Sequence, residues 1–355
     1  MTDRARVVIA GGGIAGVEAT LALGALAPGR AEVVVLEPRP RFALPATAAG
    51  RAFGLGWSVN RSMDQVVGRA GGRLRRARLT GVDARRRIAM LAGGELLPYD
   101  HLIVAVGGRA EATVDGALTF RGHGDSAELR ALVDGLVEGA GRGARSEVVV
   151  VVPGRCGWPL TAYEIALMTH DHLDALGVAD RCAISVLTAE PSPLAAFGEE
   201  VGATVARTLA RAAIAVRAGV EADSFSWGRL RLRDGEVLRA DRVVALAALA
   251  GPRIAGLPHD EHGFVACDAA GSVEGAPGVR IVGDAGIAPV REGGRACRQA
   301  DAAAGSIARD LGAPLEPPGG PPDDAPLGWP VSRVSGRFLT PFLHDLHAAG
   351  GEIAA

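Results

Sequence analysis

The chain of 355 residues contains no lysine; all of its 38 basic side chains are arginine. Lysine chemistry, a Schiff base above all, is therefore excluded from any mechanism. Aromatic residues make up 4% against 48% hydrophobic residues, so the core must be built mostly of Ala, Val and Leu. No run of 18 apolar residues occurs, and the start, "MTDRARVVIAGGG", has no apolar signal-peptide core. The four cysteines, Cys156, Cys182, Cys267 and Cys297, form neither CxxC nor CxxxxC, which removes the simplest disulfide-redox and zinc readings. A net charge of −2 gives no reason to expect a nucleic-acid partner. Together these absences lead us to expect a cytoplasmic, reducing setting.

What is present is an alternation of strand and helix signals. Residues 6–10 read as an apolar strand, followed by a glycine turn and an alanine-rich helix to about Leu26, then a strand over 32–36. Residues 39–60 lack clear periodicity. Residues 73–98 read as a meander with turns at 81–83 and 92–94, and 101–108 as a buried strand. The plan then repeats: helix 126–139, strand 147–152, helix 160–176, strand 183–188, helix 199–213, a hairpin over 230–238 and a strand over 242–249. A strand over 278–285 and a helix over 294–311 follow. The pattern predicts an α/β protein of two Rossmann-like domains. The first is discontinuous, 1–115 and 250–325; the second, 116–249, is inserted into it. A short C-terminal segment, 326–355, carries Phe338, Leu339, Phe342, Leu343 and Leu346 on roughly one face. That patch is short and no lysine flanks it, so a strong membrane anchor is not expected.

"VVIAGGGIAGVEA" places Gly11-x-Gly13-x-x-Gly16 between a strand and a helix. Gly11 allows the tight turn, Gly13 lets the backbone approach a pyrophosphate, and Gly16 lets helix and strand pack closely. The helix N-terminus offers free N–H groups to phosphates. Glu37 ends the next strand, 21 residues after Gly16, placed to accept ribose hydroxyls.

"YDHLIVAVGG" (99–108) and "GVRIVGDAG" (278–286) resemble the second and third flavin signatures of the two-dinucleotide-binding-domain flavoproteins, the pyridine nucleotide-disulfide oxidoreductase superfamily. The branch it resembles holds type II NADH dehydrogenases and sulfide:quinone oxidoreductases. "VVVPGRCGWPLTAYEIALMT", "LTAEPSPLAAFG" and "GGRACRQADAAA" are also similar to FAD-dependent oxidoreductases of high-GC bacteria, actinobacteria among them. The resemblance covers residues 5–312. It implies an FAD-dependent oxidoreductase acting on a small-molecule substrate, as a monomer or homodimer. It further implies that FAD is held by Gly11, Gly13, Ile14, Ala15, Gly16, Glu37, Pro38, Leu79, Ala105, Val106, Gly107, Gly283, Asp284, Gly294 and Ala296. Asp284 matches the aspartate that binds the ribityl chain, and the helix beginning at Gly293-Gly294 would aim its dipole at the flavin pyrimidine.

The stretch "VVPGRCGWPLTAYEIAL" (151–167) occupies the place of a nicotinamide turn, yet it is too long. Aligning Glu164 with the helix glutamate of such turns puts Ala162 at the last glycine and Pro159 at the middle one. Pro159 has no N–H for a phosphate and Trp158 adds bulk, so a conventional NAD(P)H pose is disfavoured. Gly154 and Gly157 could form a wider loop, and Glu190 ends the next strand in "LTAEP" as Glu37 does in "VLEP". The resemblance also makes Cys156 a candidate redox cysteine; a reactive and a structural role both stay open. Cys297 reads as buried and inert. Glu164 reads as a packing or capping residue. His170 and His172, two apart on a helix, do not share a face and make no metal site. Four readings remain, three of them enzymatic: an FAD enzyme that has lost its nicotinamide, an NAD(P)H-dependent reductase, or a sulfide or thiol oxidoreductase using Cys156. A non-enzymatic flavin redox sensor is the fourth.

Overall fold

The structure is a computed structural model that describes residues 4–43, 47–55, 61–288, 291 and 293–314. The C-terminal patch around Phe338 lies outside the described residues. The chain divides into two compact units, formed by the described residues of Met1–Phe42, Asn60–Gly108 and Gly251–Ala355, and of Ala43–Val59 and Arg109–Ala250.

In the first unit β1 (Ala5–Ala10) leads through the glycine turn to α1 (Ile14–Leu26) and β2 (Ala31–Leu36). Then come β3 (Arg73–Arg75) and β4 (His101–Val104). In the second, β5 (Leu118–Phe120), α2 (Ser126–Gly141), β6 (Ser146–Val152), α3 (Leu160–Ala175), β7 (Cys182–Thr188), α4 (Glu199–Arg211), β8 (Ala215–Ala218) and β9 (Arg242–Leu246) follow in turn. The chain returns to the first unit with β10 (Val279–Ile281) and α5 (Gly293–Asp310).

The first unit's sheet runs β10-β4-β1-β2-β3 and the second unit's β5-β9-β6-β7-β8, every pair parallel. Strands buried on both faces read as continuous apolar runs rather than alternations, which is why Val7–Ala10 and Val148–Val152 are so uniformly hydrophobic. The helices present one stripe each. In α2 the buried residues Leu129, Val133, Leu136 and Ala140 recur at three or four positions; in α5 it is Cys297, Ala300, Ala304, Ile307 and Ala308. Alanine dominates α1 and α5, and the two helices pack directly on one another.

Several elements depart from the sequence pattern. Residues 81–83 are not a turn: Gly81 lies within the strand Leu79–Asp83. A Cβ there would come within 3.2 Å of Met90 Sδ and 3.3 Å of Ala255 Cβ, so this glycine serves close packing. The turn falls instead at 84–87, where Arg87 takes φ 54°. Arg73–Arg75 joins the parallel sheet and not the meander. The strand over 242–249 is two pieces, β9 and Ala248–Ala250, the latter antiparallel to Arg109–Glu111. The 39–60 stretch holds a short helix, Ala48–Ala52, whose three buried alanines join Phe120, Leu129 and Tyr163 in the second unit's core. Ser126 Oγ donates to Ala48 O at 2.9 Å and fixes it there.

Because Ile165 and Leu129 are 1% and 0% exposed in that core, replacing either by Ala should cost about 2–5 kcal/mol. Trp227, 97% exposed, should tolerate Ala within about 0.5 kcal/mol. Urea unfolding followed by circular dichroism checks both; equal midpoints for all three variants would contradict the assigned core.

Candidate active site

In the first unit β1 lies between β2 and β4, so the chain reverses its direction of travel across the sheet at β1. Ligands of open α/β sheets bind at such a switch point, beyond the carboxyl ends of the strands. Gly11 sits there with φ 112°, and its N–H donates to Leu36 O at 2.8 Å. A Cβ at Gly11 would lie 2.2 Å from Ala105 O and 2.9 Å from Val106 N. A Cβ at Gly16 would lie 1.8 Å from Gly11 O. Both glycines therefore answer to the protein's own backbone. Gly13 does not: no heavy atom lies within 4 Å of its would-be Cβ. It is the N-cap of α1, has no side-chain cap bond, and the first turn holds no acidic residue. The helix thus presents unpaired N–H groups to open, anion-favouring space.

Glu37 closes one side of this space. It is 2% exposed, and Gly12 N–H donates to its Oε2 at 2.9 Å. Arg39 donates from its backbone N–H and Nε to Oε1 and from Nη2 to Oε2, each at 2.9 Å. Burial pushes the carboxyl's pKa up, but these bonds outweigh it and hold it below the ordinary value. Arg39 escaped the sequence reading; its spacing of two from Glu37 was the available signal. Four donors already occupy a carboxylate with about four acceptor positions, so a ribose diol reaching Glu37 would have to displace the exposed Arg39 side chain.

On the other side Gly283 takes φ 68°, and its N–H donates to Gln299 Oε1 at 2.9 Å. Its would-be Cβ lies 3.3 Å from Ala15 Cβ and 3.8 Å from Ala296 Cβ, and that of Gly293 lies 3.5 Å from Ile14 Cδ1. The glycine turn, Gly283, Ala296 and the start of α5 with Gly294 are thereby brought together. Asp284 is half-buried; burial pushes its pKa up and Arg291 only partly offsets this. Arg291 donates to Asp284 O at 2.9 Å and Gly286 O at 3.1 Å, and stacks over Phe264 at 3.9 Å. A half-buried carboxyl of this kind is a ready partner for ligand hydroxyls. Gly107 takes φ 72° over open space, Val106 borders the core, Pro38 is exposed, and Leu79 is 7% exposed within the core. The open cradle at Gly13, the free helix terminus and the carboxyls of Glu37 and Asp284 fit a dinucleotide.

The second unit has the same switch point at β6, between β7 and β9. Here seven residues, 153–159, separate strand and helix, against three, 11–13, in the first unit. The loop is tied to the neighbouring chain. Leu249 N–H donates to Arg155 O at 3.0 Å, Arg155 Nη1 donates to Leu249 O at 3.3 Å, and Cys156 pairs with Ala248 in an antiparallel bridge. A Cβ at Gly154 would meet Glu221 Oε1 at 2.8 Å, and one at Gly157 would meet Leu249 Cδ2 at 3.5 Å. Pro159 is the N-cap of α3, and Trp158 packs edge-on against Phe197 with centroids 5.5 Å apart. Glu190 Oε2 accepts from Tyr163 OH at 3.0 Å, Thr188 Oγ1 at 3.1 Å and Leu194 N–H at 3.4 Å. This inward anchoring was invisible in the "LTAEP" pattern.

Burial pushes the Cys156 thiol up to about 12; Glu190 adds to the rise, and the Trp158 N–H bond opposes it. A cysteine nucleophile needs the reverse shift. Cys297 is buried. Burial also raises Glu164. His170 Nδ1 pairs with Asp171 at 3.2 Å and His172 packs edge-on near Phe53. Among the described residues no group of three metal-ligating side chains occurs, and no helix is long and apolar enough to cross a membrane.

Two outcomes follow. Gly13→Val should fold but lose flavin, whereas Gly16→Val should fail to fold, because only the second side chain meets backbone; flavin absorbance per mole of chain and circular dichroism separate them. A pKa near 12 leaves Cys156 roughly 1,000-fold less thiolate than an ordinary thiol at pH 7. Iodoacetamide at neutral pH should therefore modify it far more slowly in the native than in the urea-unfolded chain, as read by peptide mass spectrometry.

The profile of the pyridine nucleotide-disulphide oxidoreductase family matches residues 5–305. No curated protein sequence matches the chain. Among solved structures, the sulfide:quinone oxidoreductase of Aquifex aeolicus superposes with a TM-score of 0.78 at 18% identity, over 87% of this chain and 77% of that one. The ferredoxin reductase of the CYP199A2 system of Rhodopseudomonas palustris gives 0.67 at 20% identity, over 90% and 79%. NDH2 of Plasmodium falciparum gives 0.63 at 16% identity, over 80% and 64%. At these identities the likeness is one of fold. The family match, covering most of the chain and both glycine turns, is of another order: the chain belongs to the pyridine nucleotide-disulphide oxidoreductase family and is an FAD-dependent oxidoreductase.

Proposed function

We propose that this enzyme passes two electrons between a small molecule and an acceptor without a conventional nicotinamide site. FAD is held by the Gly11–Gly16 turn, with Glu37 and Asp284 taking ligand hydroxyls and Ala105, Gly107, Gly283, Gly294 and Ala296 bordering it. When bound it supplies the two-electron chemistry; the chain supplies binding, orientation and electrostatics.

The observation that carries the reading is the tie between Arg155-Cys156 and Ala248-Leu249. Backbone groups that would line a pyrophosphate cradle are used in this bridge. The side chain of Glu221, ion-paired with Arg233 at 2.7 Å, fills space beside Gly154 where a phosphate would approach. Glu190, anchored to Tyr163 and Thr188, has one oxygen already engaged. Losing two charge-assisted hydrogen bonds would cost about 3–6 kcal/mol. That moves a micromolar site toward millimolar. The protonated Cys156 thiol argues equally against a thiol-exchange step at this position.

Calorimetric titration of the FAD-loaded protein with NADH and with NADPH should show binding no tighter than about millimolar. Rapid mixing with either should leave the flavin oxidised over the turnover time of an ordinary reductase. Low-micromolar binding abolished by changes at Gly154 or Glu190 would overturn the reading in favour of an NAD(P)H-dependent reductase.

A further inference from the structure

The first unit has a second polar depression, at the other edge of its sheet. A cavity of about 410 Å³ is lined by Arg87, His101, Ser272, Gly278, Arg280 and Asp310, among others. His101 and Val279 open their strands and Asp310 closes α5, so this is the amino-terminal edge. The glycine turn follows the carboxyl-terminal edge, so the two places are distinct.

Arg280 is the anomaly. It stands between the buried apolar residues Val279 and Ile281 and is 6% exposed. Its Nη2 donates to Ser306 Oγ at 2.9 Å and to Asp310 Oδ2 at 2.6 Å, and its Nη1 lies 3.3 Å from His101 Nδ1. Its Nε has no partner among the described residues. A guanidinium has five N–H groups, so donors remain. Asp310 is the carboxylate paired with it, and that side chain is 48% exposed. Burial, with the Arg280 charge, holds the His101 pKa below its ordinary value. A neutral His101 accepting through Nδ1 keeps Nε2–H as a donor. At the rim Arg87 is exposed and, among the described residues, has no ion pair. The lining therefore sets two guanidiniums against one carboxylate. A buried cation is costly unless fully compensated. Planar guanidinium forks beside a hydroxyl and an imidazole N–H match an oxyanion.

We propose that this cavity binds a small oxyanion, the phosphate or carboxylate group of a metabolite, between Arg87 and Arg280. The site is independent of the flavin and of how electrons enter.

The test uses the full-length protein with FAD bound, so that the glycine turn is occupied. It is titrated calorimetrically with inorganic phosphate, with citrate, and with sodium chloride at matched ionic strength. Saturable binding of phosphate or citrate, absent with chloride, is the expected result; phosphate assigns a phosphoryl ligand and citrate alone a carboxylate one. Arg87→Gln should weaken that binding about tenfold, the loss of one charge-assisted bond, and leave flavin content unchanged. Asp310→Asn should lower the Tm in anion-free buffer and regain it on adding the anion that bound. Absence of saturable binding by both probes, or binding unaltered by Arg87→Gln, would overturn the proposal.

Discussion

The carbonyl oxygen of Gly11 constrains the dinucleotide site more tightly than any side chain. A Cβ at Gly16 would stand 1.8 Å from it, so helix α1 starts hard against the end of β1. That closeness places the helix terminus beside Ala105 and brings Gly12 N–H within 2.9 Å of Glu37. It also leaves no other heavy atom within 4 Å of the place a Cβ of Gly13 would take. The opening at Gly13 is therefore a by-product of packing: two glycines let the backbone close on itself, and the third faces what the closure leaves open.

The second unit shows what happens when the same topology is connected differently. Its sheet has the same reversal of strand order, yet the turn is longer by four residues and its backbone pairs with Ala248-Leu249. Backbone N–H and C=O groups at a strand end must find partners, in ligand, water or protein. In the first unit Gly11 and Gly12 N–H are taken by Leu36 O and Glu37, and the start of α1 at Gly13 faces open space. In the second the chain supplies the partners itself, and a carboxylate, Glu221, stands beside Gly154. The two halves of one fold thereby differ in the backbone that their turns leave exposed, which is the contrast our proposal rests on.

Arginine carries all the cationic work of this chain. A planar fork can grip a carboxylate with two bonds, as Arg39 grips Glu37 and Arg217 grips Glu236. It can lie on a ring, as Arg291 lies over Phe264. It can also be buried in a strand, as Arg280 is, because its charge is spread and its donors can be satisfied from several directions. Lysine, a strongly hydrated point charge, suits none of these places as well. The absence of lysine and the presence of these bidentate and stacked contacts are two sides of the same composition.

The uniform valine runs of β1 and β6, the alanine stripes of α1 and α5, and the spacing of Gly11, Gly13 and Gly16 were legible because strand burial, helix period and backbone clearance act within a few residues. The same locality made the extra length of the second turn, with Pro159 and Trp158 in it, readable. Gly81 was misread as a turn because its neighbour, Ala255, lies 174 positions away in sequence. Ala48–Ala52 was opaque because its burial depends on Phe120 and Tyr163. The state of Cys156 and the inward hold on Glu190 depend on Ala248 and Tyr163, brought close only by the sheet. The amino-acid order alone determined two Rossmann-like units and one glycine turn between strand and helix, since both rest on short-range patterns. Which carboxylates face a ligand, whether a thiol ionises, and where an arginine is left with donors to spare were decided by tertiary structure, because burial and charge compensation are properties of neighbours that the order of residues does not name.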